Sequence, residues 1–228
     1  MGQPILLLGC PAQVETAVRH SSLGAQHTIQ AVRDLRQPEI VCAVREAALV
    51  LLHEQAAPRD LSLVCEHLRR QTSRPLIVSL LSQDEETIVS VLRAGADDCL
   101  PQTQSGAELV ARLRAHLRRD REYATTTQPE PLERGDLCVD PVRHEVRVAG
   151  QLVDLTPREF SLLECLAQTA GRAVPRSELL QRVWGYSTAM ATRTLDVHVG
   201  RLRQKIEQDP GVPKRLLTIP GVGYKLAT

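Results

Sequence analysis

The chain has 228 residues, of which 43% are hydrophobic, and 28 Lys and Arg against 27 Asp and Glu, enough for two domains that each bury a core. A formal net charge of +1 excludes a generally basic chain, so any nucleic-acid footprint must be a local face. No apolar run approaches the roughly 20 residues of a membrane helix, no secretory pattern opens the sequence, and six scattered cysteines without a C-x-x-C pair argue against zinc and against disulfides.

The first half alternates short apolar runs with helical patterns. Ile5–Leu8 is wholly apolar and ends at Gly9, as expected of a strand buried on both faces. A helical pattern spans Ala12 to Ser21, and Thr28–Val32 reads as a strand. Pro38 opens a further helical piece before the continuous apolar run AALVLL from Ala47 to Leu52. The alternation repeats: helix Asp60–Gln71, strand Leu76–Leu81, helix Asp84–Ala94 closed by Gly95, strand Asp98–Leu100 and helix Gly106–Arg119. Five such units predict an α/β, doubly wound, five-stranded parallel sheet over residues 1–120, with ligands expected beyond the carboxyl ends of the strands.

A polar segment with two prolines over 121–131 reads as a linker. Over 132–228, short antiparallel strands are expected at Leu137–Val139, Glu145–Val148 and Leu152–Leu155, with Ala149-Gly150 at a hairpin turn. In LTPREFSLLECLAQTAGR, Thr156 is placed to cap a helix, Pro157 suits its first position and Glu159 completes a capping box. Phe160, Leu163 and Leu166 form its buried stripe. A second helix runs from Arg176 to Val183, and a third covers Ala191–Glu207 before a terminal hairpin of Leu216–Ile219 and Tyr224–Leu226. On that third helix Leu195, Val199, Leu202 and Ile206 face inward, while Arg193, Val197, Gly200, Arg201 and Gln204 face out. The outward set combines cations for phosphates, an Arg fork for a guanine edge and a small apolar group for a thymine methyl, which is what a major-groove helix needs.

The segments RAGADDCL and ELVARLRAHLRR resemble the receiver domain of bacterial two-component response regulators, and LTPREFSLLECLA, RSELLQRVWG, RTLDVHVGRLRQKIE and GVGYKL resemble the winged-helix DNA-binding domain of OmpR/PhoB-type regulators. The first resemblance implies a site for phosphoryl transfer with an acidic pair, an acceptor Asp, a hydroxyl residue and a Lys. Those places are held by Gly9 and Cys10, His53, Leu80 and Gln102, and Cys99 stands where an aromatic switch residue is usual. With no lysine in the first 120 residues, the resemblance implies a degenerate receiver that takes no phosphoryl group. Neither His53 as a phosphohistidine or metal ligand nor Cys10 and Cys99 as redox thiols has the neighbours those roles need, so all three are expected to be structural.

The same resemblance implies a homodimer face built from Ile88, Val89, Leu92, Asp97, Asp98, Glu108, Arg112 and Arg114. For DNA it implies base contacts by Arg201 and Val197, with Thr194 and Asp196 near that set, and phosphate contacts by Arg193, His198, Arg203 and Trp184, joined by Lys225 or Lys214 from the wing. Trp184 as a packing residue and Asp196 as an orienter of an Arg are the competing readings. Pro220 replaces the arginine that many family wings carry, which removes a minor-groove donor. The expected protein is a cytoplasmic, non-enzymatic transcription regulator without cofactor or metal. Its expected partners are promoter DNA repeats, a second copy and RNA polymerase. The alternative is a regulator whose altered receiver cleft senses a ligand or a partner protein.

Overall fold

The computed structural model describes residues 2–37, 39–56, 61–82, 84–122, 130–185 and 189–228. Pro38, Asp60 and positions 123–129 of the expected linker lie outside the described residues. The chain divides into two compact units, Met1–Arg118 and Arg119–Thr228.

In the first unit β1 (Gly2–Leu8), α1 (Ala12–Arg19), α2 (Ser22–Gln26), β2 (His27–Val32), α3 (Ile40–Glu46), β3 (Leu49–His53), α4 (Leu61–Gln71), β4 (Leu76–Leu80), α5 (Glu85–Arg93), β5 (Asp98–Pro101) and α6 (Gly106–Glu122) follow in order. The strands form one sheet in the order β2-β1-β3-β4-β5, and each neighbouring pair is parallel. The apolar runs are its interior: Ile5 to Leu8 and Leu49 to Leu52 have no exposed surface, as the continuous hydrophobic strands of a doubly wound sheet require. The helix expected over Ala12–Ser21 is α1, and an unexpected short helix, α2, follows it, capped by Ser21, whose hydroxyl accepts from Leu23 N at 3.1 Å. Helix α6 runs on to Glu122, past the expected domain end at 120, since its last turns hold only good helix formers and charged residues.

The expected dimer face is largely interior. Ile88 is 4% exposed and Leu92 fully buried, so α5 turns them toward its own sheet. Asp97, fully buried, accepts from Arg69 Nη2 at 2.5 Å and from Leu76 N at 2.9 Å. Arg69 also donates to the carbonyls of Gly95, Thr72 and Arg74. Asp98 pairs with the buried His116 at 3.0 Å. These four residues are corrected from contact residues to core residues, because a carboxylate taken out of water needs fixed partners. Of the expected face, half-buried Val89 and Arg112 and exposed Glu108 and Arg114 remain accessible; Glu108 is paired within its own helix to Arg112 at 2.8 Å, and Arg114 donates to Ser22 Oγ.

The second unit contains β6 (Leu132–Arg134), β7 (Leu137–Asp140), β8 (Glu145–Val148), β9 (Gln151–Val153), α7 (Pro157–Gln168), β10 (Val174–Pro175), α8 (Arg176–Trp184), α9 (Ala189–Ile206), β11 (Leu216–Ile219) and β12 (Gly223–Leu226). A four-stranded antiparallel sheet β6-β7-β8-β9 precedes the helices, and a three-stranded sheet β10-β12-β11 completes the wing. The strands β6 and β10 escape a sequence reading because two or three residues show no period. Ala149 and Gly150 adopt φ of 48° and 79° at the β8–β9 turn, the left-handed pair that a tight hairpin demands. The capping box on α7 is complete: Thr156 N donates to Glu159 Oε2 at 2.9 Å and Glu159 N to Thr156 Oγ1 at 3.4 Å. Phe160, Leu163 and Leu166 join Leu195, Val199 and Leu202 in one core.

Asp97→Ala is expected to destabilise the first unit by about 3 kcal/mol, because it removes the carboxylate that accepts from both Arg69 Nη2 and the buried Leu76 N. Far-UV circular dichroism in urea checks this; an unchanged midpoint would show that the Arg69 pair does not hold the sheet.

Candidate nucleic-acid interface

Helix α9 is pressed into the core by one face. Leu195 and Leu202 are fully buried and Val199 and Ile206 are 1% exposed. Thr194 and His198 are also fully buried, which removes two expected DNA contacts. The His198 ring Nδ1 bonds to Thr194 O at 2.8 Å, and the ring meets Trp184 edge-on with centroids 5.2 Å apart. Trp184 too has no exposed surface. Trp184, Thr194 and His198 are therefore packing residues here, since a group without surface cannot meet a phosphate.

The outer face keeps Arg193, Gly200 and Gln204 exposed and Val197 and Arg201 half-buried. A Cβ at Gly200 would meet nothing within 4 Å, so the middle of this face is shallow and open rather than filled by a neighbour. Arg193, Val197 and Arg201 follow one another at four-residue steps along it. Lys225 is half-buried on β12, and Lys214 is exposed just before β11.

Two expected contact residues are committed within the unit. Asp196 accepts from Tyr224 Oη at 2.5 Å and from Arg176 Nη2, and Arg176 also donates to Tyr224 Oη at 3.2 Å. Arg203 donates from Nε to Leu216 O at 2.9 Å and from Nη2 to Thr218 Oγ1 at 2.8 Å. Both guanidinium groups lie over the Tyr224 ring, at 5.5 Å for Arg176 and 6.0 Å for Arg203, within cation–π range. Burial pushes the Tyr224 phenol up, and its bond to Asp196 pushes it further, so it remains a donor. Burial alone pulls Arg176 down, yet Asp196 and Tyr224 more than offset this and hold it above its ordinary value. This cluster ties α9 to the start of α8 and to β12. Arg176 and Tyr224 escape the sequence reading, because the pairing joins positions 20 and 28 residues from Asp196. A carboxylate on an otherwise basic helix face was the available signal.

At the carboxyl ends of the first unit's strands, the described residues lining the cleft include neither a carboxylate nor a lysine. Gly9 has φ of 62°, and a Cβ there would lie 2.1 Å from Ala56 Cβ, so the backbone has no room for an acidic side chain. Cys10 is 6% exposed, and burial, with Glu15 nearby, pushes its thiol up to about 12, which disfavours the thiolate that redox chemistry needs. His53 is 4% exposed and burial lowers its pKa despite Glu54. Gln102 Nε2 donates to Ser79 O at 3.3 Å and reaches His53 Nδ1 at 3.5 Å. Leu80 is fully buried, and Ser79 lines the cleft instead. Cys99 is buried at 1% exposure.

The comparisons with known proteins bear on both units. The family described as "Transcriptional regulatory protein, C terminal" matches residues 150–226. The sensory transduction protein RegX3 of Mycobacterium tuberculosis (strain ATCC 25618 / H37Rv) is 44% identical over 163 residues, 72% of each chain. The DNA-binding response regulator MtrA of Mycolicibacterium smegmatis is 39% identical over 189 residues, covering 82% of this chain and 81% of its own. Among solved structures, a cysteine-to-serine mutant of RitR superposes with a TM-score of 0.71 at 24% identity over 99% of both chains, a likeness of fold.

Two outcomes test these sites. Tyr224→Phe keeps the ring and removes the donor to Asp196; the second unit is expected to lose about 1–2 kcal/mol, read by fluorescence of the single tryptophan. An unchanged midpoint would remove the clamp. For His53, the unfolded chain, near 6.5, holds its proton more tightly than the folded one. The neutral ring's contribution is therefore complete above that pH and is lost as the pH falls through the folded value. Unfolding monitored by circular dichroism should weaken more steeply below pH 6.5 in the wild type than in His53→Gln, and equal slopes would contradict burial of the neutral ring.

Proposed function

This chain belongs to the OmpR/PhoB-type DNA-binding response regulators, and we propose that within that family it controls transcription without receiving a phosphoryl group. The observation that carries the reading is the cleft at the strand ends. Among its described lining residues there is neither a carboxylate nor a lysine, and Gly9 has no room for an acid. A transferring phosphoryl group needs an acceptor and neutralising charge, and Cys10, His53, Leu80 and Gln102 supply neither. The first unit is thus a degenerate receiver.

On DNA, α9 lies in the major groove, with Arg201 and Val197 on base edges and Arg193 on phosphate. Lys225 and Lys214 reach the backbone from the wing, while Asp196 and Arg203 fix the wing against the helix. Pro220 leaves the wing tip without a side-chain donor for the minor groove. Occupancy is set by amount of protein and by pairing of two copies on promoter repeats through the accessible part of the α5–β5–α6 face, where Val89, Glu108, Arg112 and Arg114 lie. The regulator acts in the cytoplasm on RNA polymerase and catalyses no reaction.

The purified chain, mixed with promoter DNA and nothing else, is expected to bind. Log K should fall against log salt with a slope of about −0.9 per phosphate contact. Acetyl phosphate with Mg²⁺ should neither label the protein nor change its affinity; a labelled chain that binds more tightly would overturn the reading. Arg201→Ala is expected to lose about 1–3 kcal/mol concentrated at one base pair. Uniform weakening across all sequences would reassign Arg201 to phosphate.

A further inference from the structure

Helix α9 carries a residue that its own fold does not explain. Gly200 stands in the interior of this 18-residue helix, where glycine makes a less stable helix than alanine because it gives up more backbone freedom. A glycine is required inside a protein when the backbone is left-handed or when a neighbour leaves no room for a Cβ. Gly135, Gly150 and Gly221 also have open surroundings, but their φ values of 62°, 79° and 72° are left-handed. Gly223 is hemmed in, with Val174 O 2.1 Å from the place of a Cβ. Gly200 has neither constraint: its backbone is helical, and a Cβ there would meet nothing within 4 Å.

The flanks keep this gap open. On the helix surface the neighbours of Gly200 are Asp196 and Val197, one turn before, and Arg203 and Gln204, one turn after. Asp196 is held by Tyr224 and Arg176, and Arg203 by Leu216 O and Thr218 Oγ1. Both polar side chains are thus tied toward the wing and the start of α8 instead of lying across the glycine. What remains is a recess in the outer face, floored by helix backbone, beside half-buried Val197 and exposed Gln204. Exposed Arg193 and half-buried Arg201 lie on the same face and supply the charge that draws a phosphate backbone to it. A glycine with no internal reason, on a face of this charge, suits close approach of the helix backbone to a ligand.

We propose that Gly200 sets how deeply α9 enters the major groove: the missing side chain lets the helix backbone close directly onto the duplex, and the recess takes a projecting apolar group, a thymine methyl or a deoxyribose. The inference rests on the reading of α9 as the groove-entering helix, and it gives a part in that contact to a residue without a side chain.

Gly200→Ala in the full chain separates folding from binding, because the two are expected to move in opposite directions. The urea midpoint of the second unit, followed by fluorescence of the single tryptophan, should rise, since alanine is the better helix former and meets no neighbour. Affinity for duplexes that the wild type selects from a random pool should fall by about tenfold or more, the cost of one methyl forced into a closely packed contact. Replacing the thymines of the selected site one at a time by deoxyuridine distinguishes the occupants. Recovery of the variant's affinity at one position assigns the recess to a thymine methyl, and a loss that no replacement relieves assigns it to deoxyribose. Unchanged affinity of Gly200→Ala, or a loss of affinity that accompanies a lowered midpoint, overturns the proposal. If Arg201→Ala weakens binding and Gly200→Ala does not, only the role of Gly200 falls; if neither weakens it, the reading of α9 falls as well.

Discussion

The junction of α9 with the wing depends on one carboxylate. Asp196 takes the Tyr224 hydroxyl at 2.5 Å and the Arg176 guanidinium, so a single turn of α9 is joined to β12 and to the first residue of α8. Partly exposed ion pairs contribute little by themselves. Here, however, the pair is shared with a buried phenol and two guanidinium groups over its ring, and Arg203 adds bonds to Leu216 O and Thr218 Oγ1. Helix α9 and the wing are thereby joined through both Asp196 and Arg203.

The same economy of charge governs the first unit. Asp97 and Asp98 sit in the interior with Arg69 and His116 as their partners, and each carboxylate is met by donors that its own fold supplies. This changes what the α5–β5–α6 face can offer another molecule. Acids that resemble surface ion-pair partners in the sequence are staples that join β5 to α4 and α6. A contact between copies would fall to Val89, Glu108, Arg112 and Arg114, of which Glu108 and Arg112 already pair within α6.

At the strand ends, geometry and chemistry agree. The left-handed Gly9 lies against Ala56, so the space an acid would need is filled by backbone and methyl group. Cys10 is held protonated and His53 neutral by burial. The described residues that line the cleft include Gln13, Gln55, Gln102 and Gln104 and no carboxylate or lysine.

What the sequence by itself determined is the part of the molecule written in local patterns. Apolar runs between helical segments specify a parallel sheet. Thr156, Pro157 and Glu159 specify the start of α7, and the spacing of Leu195, Val199, Leu202 and Ile206 specifies which side of α9 is buried. The family was legible through the resemblance carried by contiguous segments such as LTPREFSLLECLA, RTLDVHVGRLRQKIE and GVGYKL. Only the tertiary structure decided the fate of polar side chains on the borders of those faces. Thr194, His198 and Trp184 sink into the core, Asp97 and Asp98 become staples, and Asp196 and Arg203 bind the wing. A helical wheel sets an angle and says nothing of how high the neighbouring elements rise; whether a border residue meets water or a partner depends on groups 13 to 28 positions away.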